Sequence, residues 1–281
     1  MREPTRERNR TATRTRRVAR LGLLVLLVFA TAVVPVLVSA RPANEIPIAD
    51  YEGTTARLSN PTADAWSDVP AVDVALSSAP SGLPDASDTS VSTVDVQAAH
   101  DGESIYLRLH WTDHTADENV TGPREFADAV AVQVPANTSQ HPAIAMGSTR
   151  TPVNVWYWNA DTGIEELLAG GPGSVTRFDS TAISANVVRT DDGWTMVYSR
   201  PLRADADGRT DVAMEHDLDV AFAVWNGSNM ERSGRKAVSE WYHLPTGPQP
   251  SGPAYESLLW AVAGLAIVVV VAATILAIRR T

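Results

Sequence analysis

The chain has 281 residues and a mass of 30.1 kDa, enough for one large domain or two small ones. Its 23 basic and 33 acidic residues leave a formal net charge of −10, which excludes the basic footprint a nucleic-acid binder needs to replace phosphate counterions. Cysteine is absent, so disulfides, thiolate-ligated clusters, Cys-type zinc sites and thioether-attached haem are excluded as well.

Residues 1–20 hold eight Arg and only two acids, Glu3 and Glu7. They precede an uncharged apolar run over 21–40, long enough to cross a bilayer. Val38-Ser39-Ala40 is like a signal-peptidase site and Pro35 interrupts a stable span, so this end reads as a signal peptide, with a retained membrane anchor as the alternative. Thr15-Arg16-Arg17 also resembles a twin-arginine export signal, although Arg20 falls where such signals place an apolar residue. Leu258 to Ile278 is a second uncharged run, closed by Arg279 and Arg280. Basic flanks stay cytoplasmic, which places residues 41–254 on the outer face of the membrane.

That outer segment carries 13 basic against 30 acidic residues, a net charge of −17, and the whole chain has a single Lys among 22 Arg. An acidic, Lys-poor surface suits a protein bathed in concentrated salt and suggests a halophilic archaeon, although a GC-rich genome also favours Arg. Residues 41–60 read as a tether, 61–244 as the folded domain, 245–254 as a Pro/Gly linker, 255–278 as a transmembrane helix and 279–281 as a cytoplasmic tail.

Within the domain, Ser104–Trp111 alternates apolar and polar side chains as a half-buried strand does. Ala129–Val134, Pro152–Trp158, Trp194–Tyr198 and Val220–Trp225 are further strands, separated by turn signals such as Asp101-Gly102, Asp192-Gly193 and Asn226-Gly227. The expected fold is all-β: an antiparallel sandwich, with a C-terminal transmembrane helix and an N-terminal signal or anchor helix. Gly163–Ala169 has the composition for a turn or two of helix, and residues 77–90 read as a surface loop.

No nucleophile elbow, phosphate-binding loop, dinucleotide fingerprint or zinc-protease helix is present. His110 and His114 read as a rim and a loop histidine, and Asp113 and Asp117 as solvated acids. Trp111 and Trp194 belong to the core. Two runs stand out. One is His141-Pro142-Ala143-Ile144-Ala145-Met146-Gly147 leading into Pro152–Ala160; the other is Ala221–Trp241, which holds the only Lys, Lys236. Lys can lose its proton and offer a lone pair where Arg cannot, so its presence among 22 Arg marks a role, against the alternative of a surface cation left by chance.

These runs, with DG…IYLRLHWTDHTAD, DAVAVQVP, AMGS…PVNVWYWNA, GPGS, DGWTMVYSRPL and AFAVWNGSNMERSGRKAVSEWYHL, resemble the haem-binding subunit of the type II dimethyl sulfoxide reductase family. This is the group related to the ethylbenzene dehydrogenase gamma subunit, and the likeness extends from Ala63 to Leu244. It implies a β-sandwich holding one non-covalent haem b between Met146 and Lys236 as axial iron ligands, with no catalytic residue. It further implies an electron-transfer subunit serving a molybdopterin catalytic subunit and an iron–sulfur subunit, with a quinol-oxidising cytochrome b or a Rieske protein as a further partner. A membrane-attached reductase of nitrate, or a related dehydrogenase, is the complex expected. The sequence departs from the family at Ser148, where Asp is frequent, at Asn159, where Lys is frequent, and in its C-terminal anchor. His141 and His243 are the rival ligands by position. The competing function is an extracellular carbohydrate-binding sandwich without haem, stacking sugars on Trp156 and Trp158.

Overall fold

The computed structural model describes residues 44–212 and 216–247, with isolated positions from Trp260 to Arg279. The chain divides into two units, Asn44–Gln249 and the two ends, Met1–Ala43 with Pro250–Thr281. The apolar run at 21–40 lies outside the described residues. In the run at 258–278 only a few positions are described, and these are helical. Among the described residues no helix is long and apolar enough to cross a membrane.

Residues 44–247 form two facing sheets. The first is built on β4 (Thr93–His100), β5 (Ser104–Thr112), β11 (Gly193–Pro201) and β10 (Ser184–Arg189), paired antiparallel in that order. The free edge of β4 takes β1 (Ile48–Asp50) in parallel along one half and β2 (Val72–Ala75) antiparallel along the other. The second sheet runs β3 (Ser77–Ser78), β13 (Ala237–Val238), β12 (Leu218–Trp225), β6 (Ala129–Pro135), β7 (Val153–Asn159), β8 (Gly163–Ala169) and β9 (Val175–Arg177). β14 (Tyr242–Leu244) pairs with the start of β12.

All five strands expected from the sequence are present, each within two or three residues of its expected ends. Gly163–Ala169 is not helical. Its Glu, Leu and Ala favour a helix in isolation, but full antiparallel register with β7, from Asn159↔Gly163 to Val153↔Ala169, overrides propensity. Part of the expected tether is also built into the fold, because β1 pairs with β4 and Ile46 is fully buried. Residues 77–90 are loop-like apart from the two residues of β3.

Side chains alternate between faces along each strand, so each sheet sorts its residues into two layers. Between the sheets, Leu107, Leu109 and Trp111 of β5 and Met196 and Tyr198 of β11 meet Val130, Val132, Trp156 and Phe222 of the second sheet. Trp111, Trp158 and Trp194 form an aromatic cluster with ring centroids 5.2–6.5 Å apart. The outer face of the first sheet is closed by Leu58, Trp66 and Val69, which pack on Ala99, Tyr106 and Val197. A short 3-10 helix, Asp64–Asp68, supplies Trp66, and Gln97 donates to the carbonyls of Trp66 and Val69 at 2.7 and 2.6 Å. The outer face of the second sheet is apolar too, and loops wall it into a cavity.

Candidate functional site

The second sheet owes its outer floor to side-chain size. Along β6 and β12 the inward positions include Val130, Val132, Val220, Phe222 and Val224, whereas the outward positions include Ala129, Ala131, Ala221 and Ala223, with Gln133 and Trp225 at the ends of the row. Small outward residues leave a recessed, flat surface, with Val155 and Tyr157 of β7 continuing it. The cavity above this floor has a volume of about 1000 Å³, at the upper end of the range for small-molecule sites.

Two loops bring opposite kinds of donor to it. Residues 136–152 carry Met146, whose φ of 63° lies in the left-handed region, followed by Gly147 at 68°. A non-glycine residue there is strained by about 1–3 kcal/mol, so the surrounding bonds must hold it. The Met146 N–H donates to Ile144 O at 2.9 Å, its carbonyl accepts from Gly171 N at 2.9 Å, and Gln133 on the floor donates to Ile144 O at 2.8 Å. The indole of Trp241 ties Pro142 O at 3.2 Å. Gly147 is required by space as well: a Cβ would meet the Thr151 carbonyl at 2.5 Å. This turn is what points the thioether over the Ala floor.

Lys236 arrives from the other side, immediately before β13. Its carbonyl accepts from Ala79 N at 2.9 Å. Its ammonium lies 4.8 Å from the centre of the Trp225 ring and 4.0 Å from Met146 Sδ. Burial holds the amine below its ordinary pKa, since the charged form loses hydration. Burial likewise pushes the Tyr157 phenol up. Lys236 Nζ and Met146 Sδ lie 4.0 Å apart, so an amine and a thioether from two distant stretches of chain face the same space. A thioether, an amine of lowered pKa and an apolar floor fit a haem held through its iron.

Residues 63–186 and 177–237 match the sequence profile of the ethylbenzene dehydrogenase family. The chain belongs to the ethylbenzene dehydrogenase family. Within it, 57% identity over 258 residues relates the chain to a Haloferax mediterranei protein provisionally named a respiratory nitrate reductase heme subunit, covering 92% of this chain and 93% of that one. The chlorate reductase subunit gamma of Ideonella dechloratans is 34% identical over 187 residues, or 66% of this chain and 78% of that one. Among solved structures, a family 9 carbohydrate-binding module from Caldicellulosiruptor kristjanssonii aligns with a TM-score of 0.43 and 10% identity, over 74% of this chain and all of the module.

Met146 and Lys236, 90 residues apart in sequence, are brought together. The rival histidines do not line the cavity: His141 is exposed with Nδ1 2.9 Å from Asp219, and His243 faces Glu45 at 3.6 Å. His110 bonds Thr195 Oγ1 at 3.0 Å and His114 is exposed, and no cluster of metal-ligating side chains occurs among the described residues. Asp113 was expected in solvent and is 2% exposed, because β5 ends by folding it under the Thr115 turn, whose N–H and hydroxyl both donate to Oδ1. The sugar-platform tryptophans are core residues. Trp156 is fully buried and donates to Asn154 Oδ1, and Trp158 sits in the aromatic cluster, because even-numbered positions of β7 face inward. Ser148 bonds Thr151, and Asn159 caps the β7–β8 turn by accepting from the N–H groups of Asp161 and Thr162. Sequence reasoning missed Gln133, Tyr157 and Trp225 as cavity residues; the signal for all three is their outward register on strands whose inward face is already apolar.

Asp128 links the walls, and the sequence gives no hint of it. Fully buried, it accepts from Gly227 N at 2.9 Å, Asp117 N at 3.0 Å and Trp194 Nε1 at 3.1 Å. It thereby joins the loop leading to Lys236, the loop before β6, and the inter-sheet core. Burial pushes its carboxyl up to about 6 despite these donors, and Asp113 adds to the rise. The same two loops approach so closely that a Cβ on Gly227 would meet Phe126 O at 1.8 Å, and Arg232 stacks on Phe126 at 4.4 Å.

Proposed function

We propose that this chain holds one haem b in the outer-face cavity, with Met146 and Lys236 as its axial ligands, and relays electrons for a molybdenum oxidoreductase complex. The observation that carries this reading is the 4.0 Å approach of Lys236 Nζ to Met146 Sδ above the alanine floor. A haem iron bound there supplies one-electron redox chemistry, and thioether ligation favours a raised potential. The chain's own residues do the rest. Met146 and Lys236 together leave no axial position for a substrate, so the subunit is a carrier of electrons and not a catalyst. The alanine floor and the aromatic side chains beside it would leave the ligand atoms shielded from water once the haem is seated. The relatives, one provisionally named a nitrate reductase heme subunit and one named a chlorate reductase gamma subunit, support a place in a multi-subunit oxyanion reductase. The proposed partners there are molybdopterin and iron–sulfur subunits, with a quinol-oxidising cytochrome b or Rieske protein feeding the complex and nitrate or a related oxyanion as terminal acceptor.

The membrane assignment rests on the sequence. The two apolar runs and their basic flanks support a domain outside the cell membrane of a halophilic archaeon, with the C-terminal run as anchor. Trp260 and Ile267, helical and 63% and 64% exposed, have the character of lipid-facing side chains.

Optical spectra of the purified full chain, oxidised and then dithionite-reduced, test the haem assignment. Wild type is expected to be low-spin and six-coordinate in both states. Lys236→Arg keeps the charge but offers no lone pair, and loses that spectrum or the haem. A normal spectrum in both Lys236→Arg and Met146→Ala refutes the axial pair, and a wild-type chain that takes no haem refutes the function.

A further inference from the structure

The backbone at Lys236 is held on one edge directly and on the other from the residue that follows it. The β12–β13 ladder pairs Ala223 with Val238 and Val224 with Ala237, and on the other side the Lys236 carbonyl accepts from Ala79. Four side-chain torsions remain, and in a long aliphatic side chain they allow the amine to leave the cavity for water. What meets the side chain is Trp225, the next position on the β12 side of the same hairpin. Its indole face lies 4.8 Å from Lys236 Nζ. The ring is itself held twice: Nε1 donates to Ser233 O at 3.2 Å, in the loop that delivers the lysine, and the Tyr157 ring stands edge-on at 5.7 Å and 90°. Trp225 is not a rival ligand; its half-buried side chain lies on the outer face beside Met146 and Tyr157, packed on the small cluster of Ala131, Val153, Val155 and Ala169.

The geometry points to Trp225 as a positioning residue: its braced indole keeps the Lys236 amine turned into the cavity, opposite Met146 Sδ, before and after the haem enters. This rests on the axial-ligand reading above and adds to it the element that makes a flexible lysine a defined ligand. Preorganisation of one long side chain changes an affinity by about tenfold. Tyr157 acts at one remove, by fixing the plane of the indole.

The test uses the full chain with Trp225→Phe and Trp225→Met. Phe keeps an aromatic face, and Met, smaller than either ring, keeps an apolar side chain without one. Two quantities are read: the high-spin fraction of the ferric haem, and the rate of haem loss to an acceptor apoprotein, with Lys236→Ala as the benchmark of a missing ligand. Trp225→Met is expected to move the spectrum part of the way to that of Lys236→Ala and to speed haem loss about tenfold, with Trp225→Phe in between. The thermal unfolding midpoint reports folding separately. If Trp225→Met does not fold, the intermediate shift in Trp225→Phe carries the test. Spectra and haem-loss rates equal to wild type in every variant that folds overturn the role of Trp225 while leaving the ligands intact. A Lys236→Ala chain with the wild-type spectrum instead overturns the axial reading, and this inference with it.

Discussion

Replacing Asp128 by Asn separates the charge of the buried carboxylate from its shape. With a pKa of about 6 in the fold against an ordinary carboxylate value of 3.8, the group takes up its proton more readily when folded. Between those values the folded chain binds a proton that the unfolded chain has released, so stability falls as pH rises through the window. The full difference of about two units corresponds to about 3 kcal/mol. From about pH 4.5 to about pH 7 the part still to be lost is about 2 kcal/mol. Asn cannot titrate, and only one of its atoms accepts, so its amide nitrogen must face either Gly227 N–H or the Asp117 and Trp194 donors. Asp128→Asn is therefore less stable than wild type at both pH values, and the gap is larger by about 2 kcal/mol at the acid end. Denaturant unfolding of both proteins across this range, in one constant salt concentration, measures the gap. A gap independent of pH refutes the argument, because it means that Asp128 ionises in the fold as it does in the unfolded chain.

Gly147→Ala places a Cβ 2.5 Å from the Thr151 carbonyl at a φ of 68°, so the Met146 turn must shift; weakened haem retention and a loss of about 1–3 kcal/mol in stability are expected, read by haem titration and thermal melts. His141→Ala and His243→Ala are expected to leave the haem spectrum unchanged, since neither ring reaches the cavity, and loss of the low-spin bands in either variant contradicts the axial pair. With a net charge of −17 on residues 41–254, the unfolding midpoint should rise between low and multimolar KCl, and a midpoint indifferent to salt removes the halophilic reading.

The legible parts of the fold were those in which one rule acted alone. Polar–apolar alternation marks β5, and short runs rich in β-branched and aromatic residues between turn signals mark β6, β7, β11 and β12. β8 failed because its residues form helices by preference and become a strand only through register with β7. β1 carries no signal at three residues; its place is set by the free edge of β4. The tryptophans show the same division. Trp111 and Trp194 were assigned to the core correctly, but Trp156 and Trp158 were offered to a sugar because a run holding Val155, Trp156, Tyr157 and Trp158 is apolar at every step and conceals which face is inward. Asp128 is invisible for another reason: a buried acid is recognised by its donors, and Gly227 N–H and the Trp194 indole N–H come from distant stretches of chain, whereas Asp113 takes its donors from Thr115, two residues on, in a turn that looks the same whether exposed or buried.

The second sheet nonetheless carries a pattern that composition and polarity miss. In Ala129-Val130-Ala131-Val132 and Val220-Ala221-Phe222-Ala223-Val224 the alternation is between small and large, not between polar and apolar. A strand facing water on one side has no reason to put alanine there repeatedly, since polar residues cost nothing in solvent. A strand covered by another sheet takes large side chains on both faces. Alanine on one face leaves a shallow apolar surface close to the backbone, which suits a flat apolar group such as the proposed haem. A sugar platform asks for the reverse, large aromatic faces turned outward, and the aromatic rings here turn inward or stand at the cavity wall. The same face brings a thioether from one loop and the chain's only lysine from another to within 4.0 Å of each other. An arginine at position 236 would have sufficed for charge or solubility in a chain that uses 22 of them. The lone pair of a deprotonated amine is the property arginine lacks, and it is what the proposed haem ligation by Lys236 uses.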